Sequence, residues 1–392
     1  MSVQMTAAHM TPAAETKPGI VIVTHEFAPF RGGAAVYSQE LADAIHRAGR
    51  AVEVWAPDYA GSAAKDAFAF PVVRLRAGGS LRAADMFQFT QELMARGQRL
   101  ELATVLLTSV GAHVAFMALA LLGRMKCRRV FSLLHGSEVL RFQGDIFWRF
   151  GARRLFPRVA GVLTVSQFSK SLIDRSFLSS LVGEVAIAPC ASSTAAMRSC
   201  PPADRSDGKI RVLTLARVHP RKGQLDTARA LALLPSEMHG RIVYQVGGKG
   251  DTSYLRQVET TCRDTGIAFE HLGEINPESL APTYQQCDIF AMASRSLPKS
   301  VEGFGIAYLE AGFHWKPVVG YRSGGASEAI VDGETGLLVN EGDLTALAAA
   351  LQRLVTDLAL RRKLGEAGRN HAASFSWDAT ARIVLSVLES AR

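Results

Sequence analysis

Short β-branched runs alternate with longer helical patterns along the whole chain, and the alternation is gone through twice. In the first half the runs fall at residues 19–24, 52–56, 72–75, 104–108, 130–134, 161–165 and 185–188. In the second they fall at 210–216, 242–246, 267–272, 289–293, 318–320 and 336–339. Strand and helix in regular succession mean parallel strands joined by crossover helices, and so sheets covered on both faces. The repeated pattern predicts an α/β chain of two Rossmann-like, doubly wound parallel-sheet domains facing across a cleft. Its 392 residues suffice for two domains at ~100–200 residues each. With 48% hydrophobic residues, a disordered chain and a disulfide-stapled miniprotein are both excluded.

Residues 191–208 (ASSTAAMRSCPPADRSDG) are the longest stretch without apolar periodicity. They predict a linker between a first domain at 19–190 and a second at 209–376, with a disordered tail at 1–18. The last pattern, 377–392, carries Ala381, Val384, Leu385 and Leu388 on one stripe and is expected to pack back on the first domain. Ligands of such folds bind at the carboxyl ends of the strands, which makes the cleft the expected site.

Residues 102–123 are apolar enough to be weighed as a membrane span, which needs ~20 such residues. Gly111 and His113 at mid-segment favour a buried strand running into a packed helix. The first 18 residues lack a basic stretch followed by an apolar core, so no signal peptide is expected. Five scattered cysteines without a Cys-x-x-Cys pair fit a reducing cytoplasm, not a disulfide framework or a zinc site.

Charge is unevenly spread. Residues 1–195 hold 21 basic and 14 acidic side chains, and residues 196–392 hold 23 and 22. Nine of the basic ones lie within 124–158, against only Glu138 and Asp145. A basic first half calls for an anionic partner: a membrane surface, a nucleic acid or a phosphorylated substrate.

The stretch 300–320 (SVEGFGIAYLEAGFHWKPVVG) is the richest in chemistry. Glu302 sits in a glycine-rich turn after a strand, and the helix expected from about Ile306 would offer the amides of Phe304, Gly305 and Ile306 to a phosphate. Gly303 belongs to the same turn. Glu310 follows eight residues after Glu302. Two helical glutamates at that spacing stand ~12 Å apart along the axis, too far for the ~5–9.5 Å of glycosidase carboxyls. They suit gripping two sets of hydroxyls on one ligand. Gly32 and Gly33 open a helix after the first strand, without the G-x-G-x-x-G of a dehydrogenase. Arg217 and Lys222, five residues apart after a strand, suit a diphosphate. His135 ends a strand and is expected to face the cleft. Glu328, after Gly324 and Gly325, reads as a first-turn acid complementing its own helix dipole. No Asp-x-Asp pair, Walker loop or Gly-x-Ser-x-Gly elbow occurs, so neither a metal nor any other cofactor is expected.

Together these motifs resemble family-4 retaining glycosyltransferases of the GT-B fold, the group 1 type, over about residues 19–388. The resemblance rests on Glu302-Gly-Phe-Gly-x4-Glu310, Lys316-Pro-Val-Val, Gly324-Gly325…Glu328 and Asp332-Gly-Glu-Thr-Gly, with Gly32-Gly33, His135-Gly136 and the Arg217/Lys222 loop. It implies a nucleotide-diphosphate sugar donor. Arg217, Lys222 and the amides near Gly33, Phe304, Gly305 and Ile306 would take the diphosphate, Glu302 the transferred sugar and Glu310 the ribose. His135 would contact the sugar, and Gly273, Glu274 and Ile275 the base. It also implies transfer with retention and without a metal. The segment 296–301 resembles that of enzymes using GDP-mannose. Two places depart from the family pattern: Pro189-Cys190-Ala191-Ser192 replaces an Asn-Gly turn, and Phe313-His314-Trp315 precedes Lys316.

In this fold the first domain takes the acceptor, here expected to be a glycan or a polyprenyl-linked one. Residues 140–159 mix Phe142, Phe147, Trp148, Phe150, Leu155 and Phe156 with five arginines, as in a helix lying on an anionic bilayer. That predicts a cytoplasmic enzyme, peripheral on the inner membrane face. Nucleic acid is not an expected partner, since no recognised module accompanies the charge. A catalytically inactive sugar-nucleotide-binding scaffold of a polysaccharide assembly is the alternative reading.

Overall fold

In the computed structural model, which describes residues 19–30, 32–59, 67–198 and 207–390, the strands form two parallel sheets. The first contains β1 (Ile20–Val23), β2 (Val52–Pro57), β3 (Val72–Leu75), β4 (Thr104–Leu107), β5 (Arg129–Leu134), β6 (Gly161–Thr164) and β7 (Val185–Ile187). The second contains β8 (Ile210–Leu215), β9 (Ile242–Gly247), β10 (Ala268–Gly273), β11 (Ile289–Met292), β12 (Val318–Tyr321) and β13 (Gly336–Val339). The sequence expectation for 1–18, and for 199–206 of the linker, lies outside the described residues.

The helices of the first lobe are α1 (Gly33–Arg47), α2 (Ala83–Ala95), α3 (Gly97–Glu101), α4 (Val110–Leu121), α5 (Ser137–Gly144), α6 (Ile146–Leu155) and α7 (Gln167–Asp174). Those that follow are α8 (Gln224–Ala232), α9 (Ser236–His239), α10 (Thr252–Thr265), α11 (Pro277–Gln286), α12 (Ile306–Phe313), α13 (Ala326–Ala329), α14 (Leu344–Thr356), α15 (Leu358–Ala373) and α16 (Trp377–Ser390).

The sheet orders are β3-β2-β1-β4-β5-β6-β7 and β10-β9-β8-β11-β12-β13. β1 lies between β2 and β4, with Ile20 opposite both Val52 and Thr104. β8 lies between β9 and β11 in the same way. The winding reverses at β1/β4 and at β8/β11, and a crevice opens at the carboxyl ends of strands where winding reverses.

Fully buried β1 shows why these runs read as continuous apolar strands. Side chains alternate between faces. Ile20 and Ile22 join the layer of α1 and α16, while Val21 and Val23 join that of α2 and α4. α16 lies along α1, its Trp377 ring edge-on to Tyr37 at 5.2 Å and its Asp378 paired with Arg47 at 2.7 Å. Residues 104–121 form β4 and the 12-residue α4, and no helix among the described residues is long and apolar enough to cross a membrane.

One expectation is corrected. Residues 140–159 are not one helix, because Asp145 breaks the run and its carboxylate caps α6 by accepting the Phe147 N–H at 2.9 Å. Phe142, Leu155 and Phe156 turn into the core, whereas Ile146, Phe147 and Phe150 are 79%, 83% and 51% exposed.

Candidate active site

The loops after β5, β6, β11 and β12 meet across the cleft. Ser166 Oγ donates to the Gly303 carbonyl at 2.6 Å, and Ser137 Oγ accepts the Val301 N–H at 3.1 Å. Glycine makes the approach possible. A Cβ on Gly303 would stand 2.2 Å from the His135 carbonyl oxygen, and one on Gly325 2.1 Å from that of Gly303. Three backbone segments are therefore layered: His135, then Glu302-Gly303, then Gly324-Gly325.

Glu302 sits at the centre of this stack, and its Oε2 accepts from Lys222 Nζ at 2.6 Å, Ser294 Oγ at 2.9 Å and Arg221 Nη1 at 3.1 Å. Its Oε1 has no protein partner among the described residues. Burial would raise this carboxyl, but Lys222 and Arg221 outweigh it and hold the group at about 2. Burial pushes the Lys222 ammonium down to about 8 against the pull of Glu302. Two cations on one carboxylate leave a net positive charge, and the exposed Arg217 adds another nearby. One oxygen is saturated and the other is open.

Several helices start on glycine. α1, α5, α8, α12 and α13 are capped by Gly32, Gly136, Gly223, Gly305 and Gly325, none with a side-chain bond. Side chains of Asp, Ser or Asn cap α6, α7, α10, α11, α14 and α15. In the first turn of α12 the Tyr308 N–H goes to the Gly305 carbonyl at 3.0 Å, while the amides of Ile306 and Ala307 have no side-chain cap. Gly305 holds φ at +101°, a conformation glycine adopts without strain. Gly33 begins α1 with open space where a Cβ would stand.

His135 lies between the lobes, its ring edge-on to Tyr37 at 5.2 Å. Its Nε2 is 3.0 Å from the Thr108 carbonyl, which can only accept, so Nε2 carries a proton, and Nδ1 is the acceptor of the neutral tautomer. At the far side Gly273 ends β10 and its carbonyl accepts the Gly248 N–H at 2.6 Å. Ile275 packs over Gly247, and Glu274 pairs with Lys249.

Glu310, expected from the sequence to take ribose hydroxyls, already has partners within the protein. It is buried, Oε1 accepting from Ser193 Oγ at 2.5 Å and Oε2 from Tyr284 OH at 2.8 Å. Burial raises its pKa, opposed by these two bonds. Glu328 lies in the first turn of α13, as its position implied, and its carboxylate also accepts from two amides of the first lobe.

The family model described as Glycosyl transferases group 1 matches residues 201–371, and that described as Glycosyltransferase Family 4 matches 31–180. A GDP-mannose-dependent alpha-(1-6)-phosphatidylinositol monomannoside mannosyltransferase of Mycolicibacterium smegmatis is 31% identical over 91% of this chain and 94% of its own length. This chain belongs to the group 1 glycosyltransferases. Among solved structures, a sucrose-phosphate synthase of Thermosynechococcus elongatus superposes with a TM-score of 0.78 at 20% identity, covering 94% of this chain and 98% of that one. Anabaena HepE in complex with UDP and glucose gives 0.76 at 17% identity over 95% of this chain and all of its own. The fold is GT-B.

Both departures of this glycosyltransferase from the family pattern meet at the linker. His314 Nε2 bonds the Ala196 carbonyl at 2.7 Å and its ring stacks on Tyr284, which in turn holds Glu310. Trp377 Nε1 donates to the Ser192 carbonyl at 2.9 Å, and Thr380 Oγ1 to that of Pro189 at 2.7 Å.

Sequence reasoning missed Arg221, Ser294 and Glu26. Arg221 was legible only as part of a basic run, and Ser294 had no motif around it. Glu26 follows His25, which Ser109 Oγ and the Gly111 N–H fix through Nδ1. Burial holds His25 at about 4 and so neutral, with Nε2 3.5 Å from Glu26. Burial, aided by Glu138 and opposed by Arg217 and Arg141, raises Glu26 to about 7.

Proposed function

We propose that this glycosyltransferase moves mannose from GDP-mannose to a membrane glycolipid, with retention of configuration and without a metal. The observation that carries the reading is the Glu302 carboxylate, fixed through Oε2 by Lys222 and Arg221 with Oε1 left open. Oε1 accepts hydroxyls of the transferred sugar. Lys222, Arg217 and the uncapped starts of α12 and α1 neutralise the leaving diphosphate, and preorganised cations and amides of this kind need no reorganisation as charge develops. His135 Nδ1 accepts from a sugar hydroxyl. Glu310 takes ribose by exchanging the Ser193 hydroxyl for one of the ligand's, and the turn at Gly273, Glu274 and Ile275 borders the base.

GDP-mannose and a phosphoinositide-type acceptor are favoured by the full-length likeness to the mycobacterial mannosyltransferase. A membrane-borne acceptor is supported by the exposed tip of α6, where Ile146, Phe147 and Phe150 stand beside Arg149, Arg153 and Arg154. That tip follows Gly144, where a Cβ would stand 3.6 Å from the side chain of Lys299 in the second lobe. The inner face of the cell membrane is the corresponding location. The test is mannose transfer from GDP-mannose to a mannosylated phosphatidylinositol in anionic vesicles. Lys222→Ala and Glu302→Ala are each expected to lower turnover at least ~10²-fold while the protein stays folded. Near-normal transfer by either variant contradicts the reading.

A further inference from the structure

Glu328 reaches across the cleft to the start of a helix in the other lobe. Its Oε2 accepts the Gln167 N–H and its Oε1 the Phe168 N–H, both at 2.8 Å. These are the first two amides of α7, which have no intrahelical acceptor. The third, Ser169 N–H, goes to Ser166 Oγ at 3.0 Å. The first turn of α7 is therefore completed by a carboxylate from the second lobe, through two charge-assisted bonds aligned with the helix dipole.

The placement of that carboxylate is tied to Glu302. α13 follows directly on Gly324 and Gly325, and the Gly325 N–H donates to the Glu302 carbonyl at 2.8 Å. A Cβ on Gly324 would stand 2.2 Å from the same carbonyl oxygen. On the other side, Ser166, the residue before the capped amides, holds the Gly303 carbonyl at 2.6 Å. Glu328 and Ser166 thus clamp the Glu302-Gly303 backbone between two loops, against His135.

We infer that Glu328 is a positioning residue: its carboxylate locks the two lobes in the arrangement that holds the Glu302-Gly303 backbone against His135. Its effect on transfer rests on the function proposed above, whereas the lock itself does not.

Glu328→Gln turns one acceptor oxygen into a donor facing an N–H. Amide hydrogen exchange is expected to rise roughly tenfold or more at Gln167 and Phe168, and also at residues 301–304. Turnover of GDP-mannose is expected to fall by a similar factor, with donor KM changed less than ~3-fold. Gln167→Pro is the second variant. Proline is tolerated at the first helical position, and Ser166 is already extended at φ −160° and ψ 159°. It deletes one N–H donor and is expected to act in the same direction, non-additively with Glu328→Gln. If Glu328→Gln fails to fold, Gln167→Pro carries the comparison. Faster exchange confined to α7, with residues 301–304 and turnover unchanged, makes Glu328 a local cap and overturns the inference. If the wild type transfers no sugar, the functional reading fails and exchange at 301–304 alone decides the lock.

Discussion

Glu302 shows how a buried charge becomes useful when only half of it is neutralised. Taking one oxygen for Lys222, Arg221 and Ser294 fixes the carboxylate, and leaving the other bare gives a rigid acceptor. Glu26 is the opposite case, a carboxyl held near neutrality by burial and by Glu138, with Arg217 and Arg141 opposing. A Cβ on Gly32, at the start of α1, would stand 3.7 Å from the Glu26 Oε2. A raised folded-state pKa means the group favours the fold at low pH and loses that contribution as pH rises through about 7. On the proposed donor site, Glu26 ionised there would also compete with the diphosphate for Arg217. Donor KM is therefore expected to rise several-fold between about pH 6 and 8, and Glu26→Gln is expected to flatten the profile. A parallel rise in both proteins would refute the role given to Glu26. At this scale Glu302, Lys222 and Arg217 stood out by residue type and spacing. Arg221 and Glu26 did not, because their importance comes from partners 81 positions away or in the other lobe.

Among the elements, each strand run expected from β-branched periodicity matches a strand, because parallel strands buried on both faces need continuous apolar runs. Sheet order was not legible, since it is set by crossovers and not by any one segment. Residues 140–159 show the limit of composition. Aromatic and basic residues alone suggested one surface helix, but Asp145 makes a capped break and sends Phe142 and Phe156 inward. What remains outside is a short apolar tip flanked by arginines. The triple variant Ile146→Ser, Phe147→Ser, Phe150→Ser should retain the wild-type Tm and bind anionic vesicles at least ~10-fold more weakly in co-sedimentation at low salt. Unchanged binding would take α6 out of the membrane-facing role.

Over the whole molecule, the fold brings the reversal points of both sheets to one cleft, and glycines allow the lobes to touch backbone to backbone there. The glycines were visible in the sequence as turns. Their use in stacking His135, Gly303 and Gly325 was not, because a close approach between distant segments leaves no local pattern. Residues 188–196 of the linker region are held from both sides: Tyr37 OH bonds the Ala188 carbonyl at 2.9 Å, Thr194 donates to Glu40, and Ser193 donates to Glu310. The two basic features also separate at this scale. Arg221 and Lys222 hold Glu302 and Arg217 adds charge near Lys222, while the excess of the first half includes the arginines of α6.

If the cleft binds a nucleotide-diphosphate sugar, thermal unfolding of the wild-type protein with GDP-mannose, UDP-glucose and ADP-glucose in turn will register it. Ligand at about 100 times its Kd stabilises the folded state by about 2.7 kcal/mol. For lobes of this size that raises Tm on the order of 5 °C or more. GDP-mannose is expected to give such a shift, and a much smaller one in Lys222→Ala. No shift with any of the three sugars would contradict nucleotide-sugar binding in the cleft.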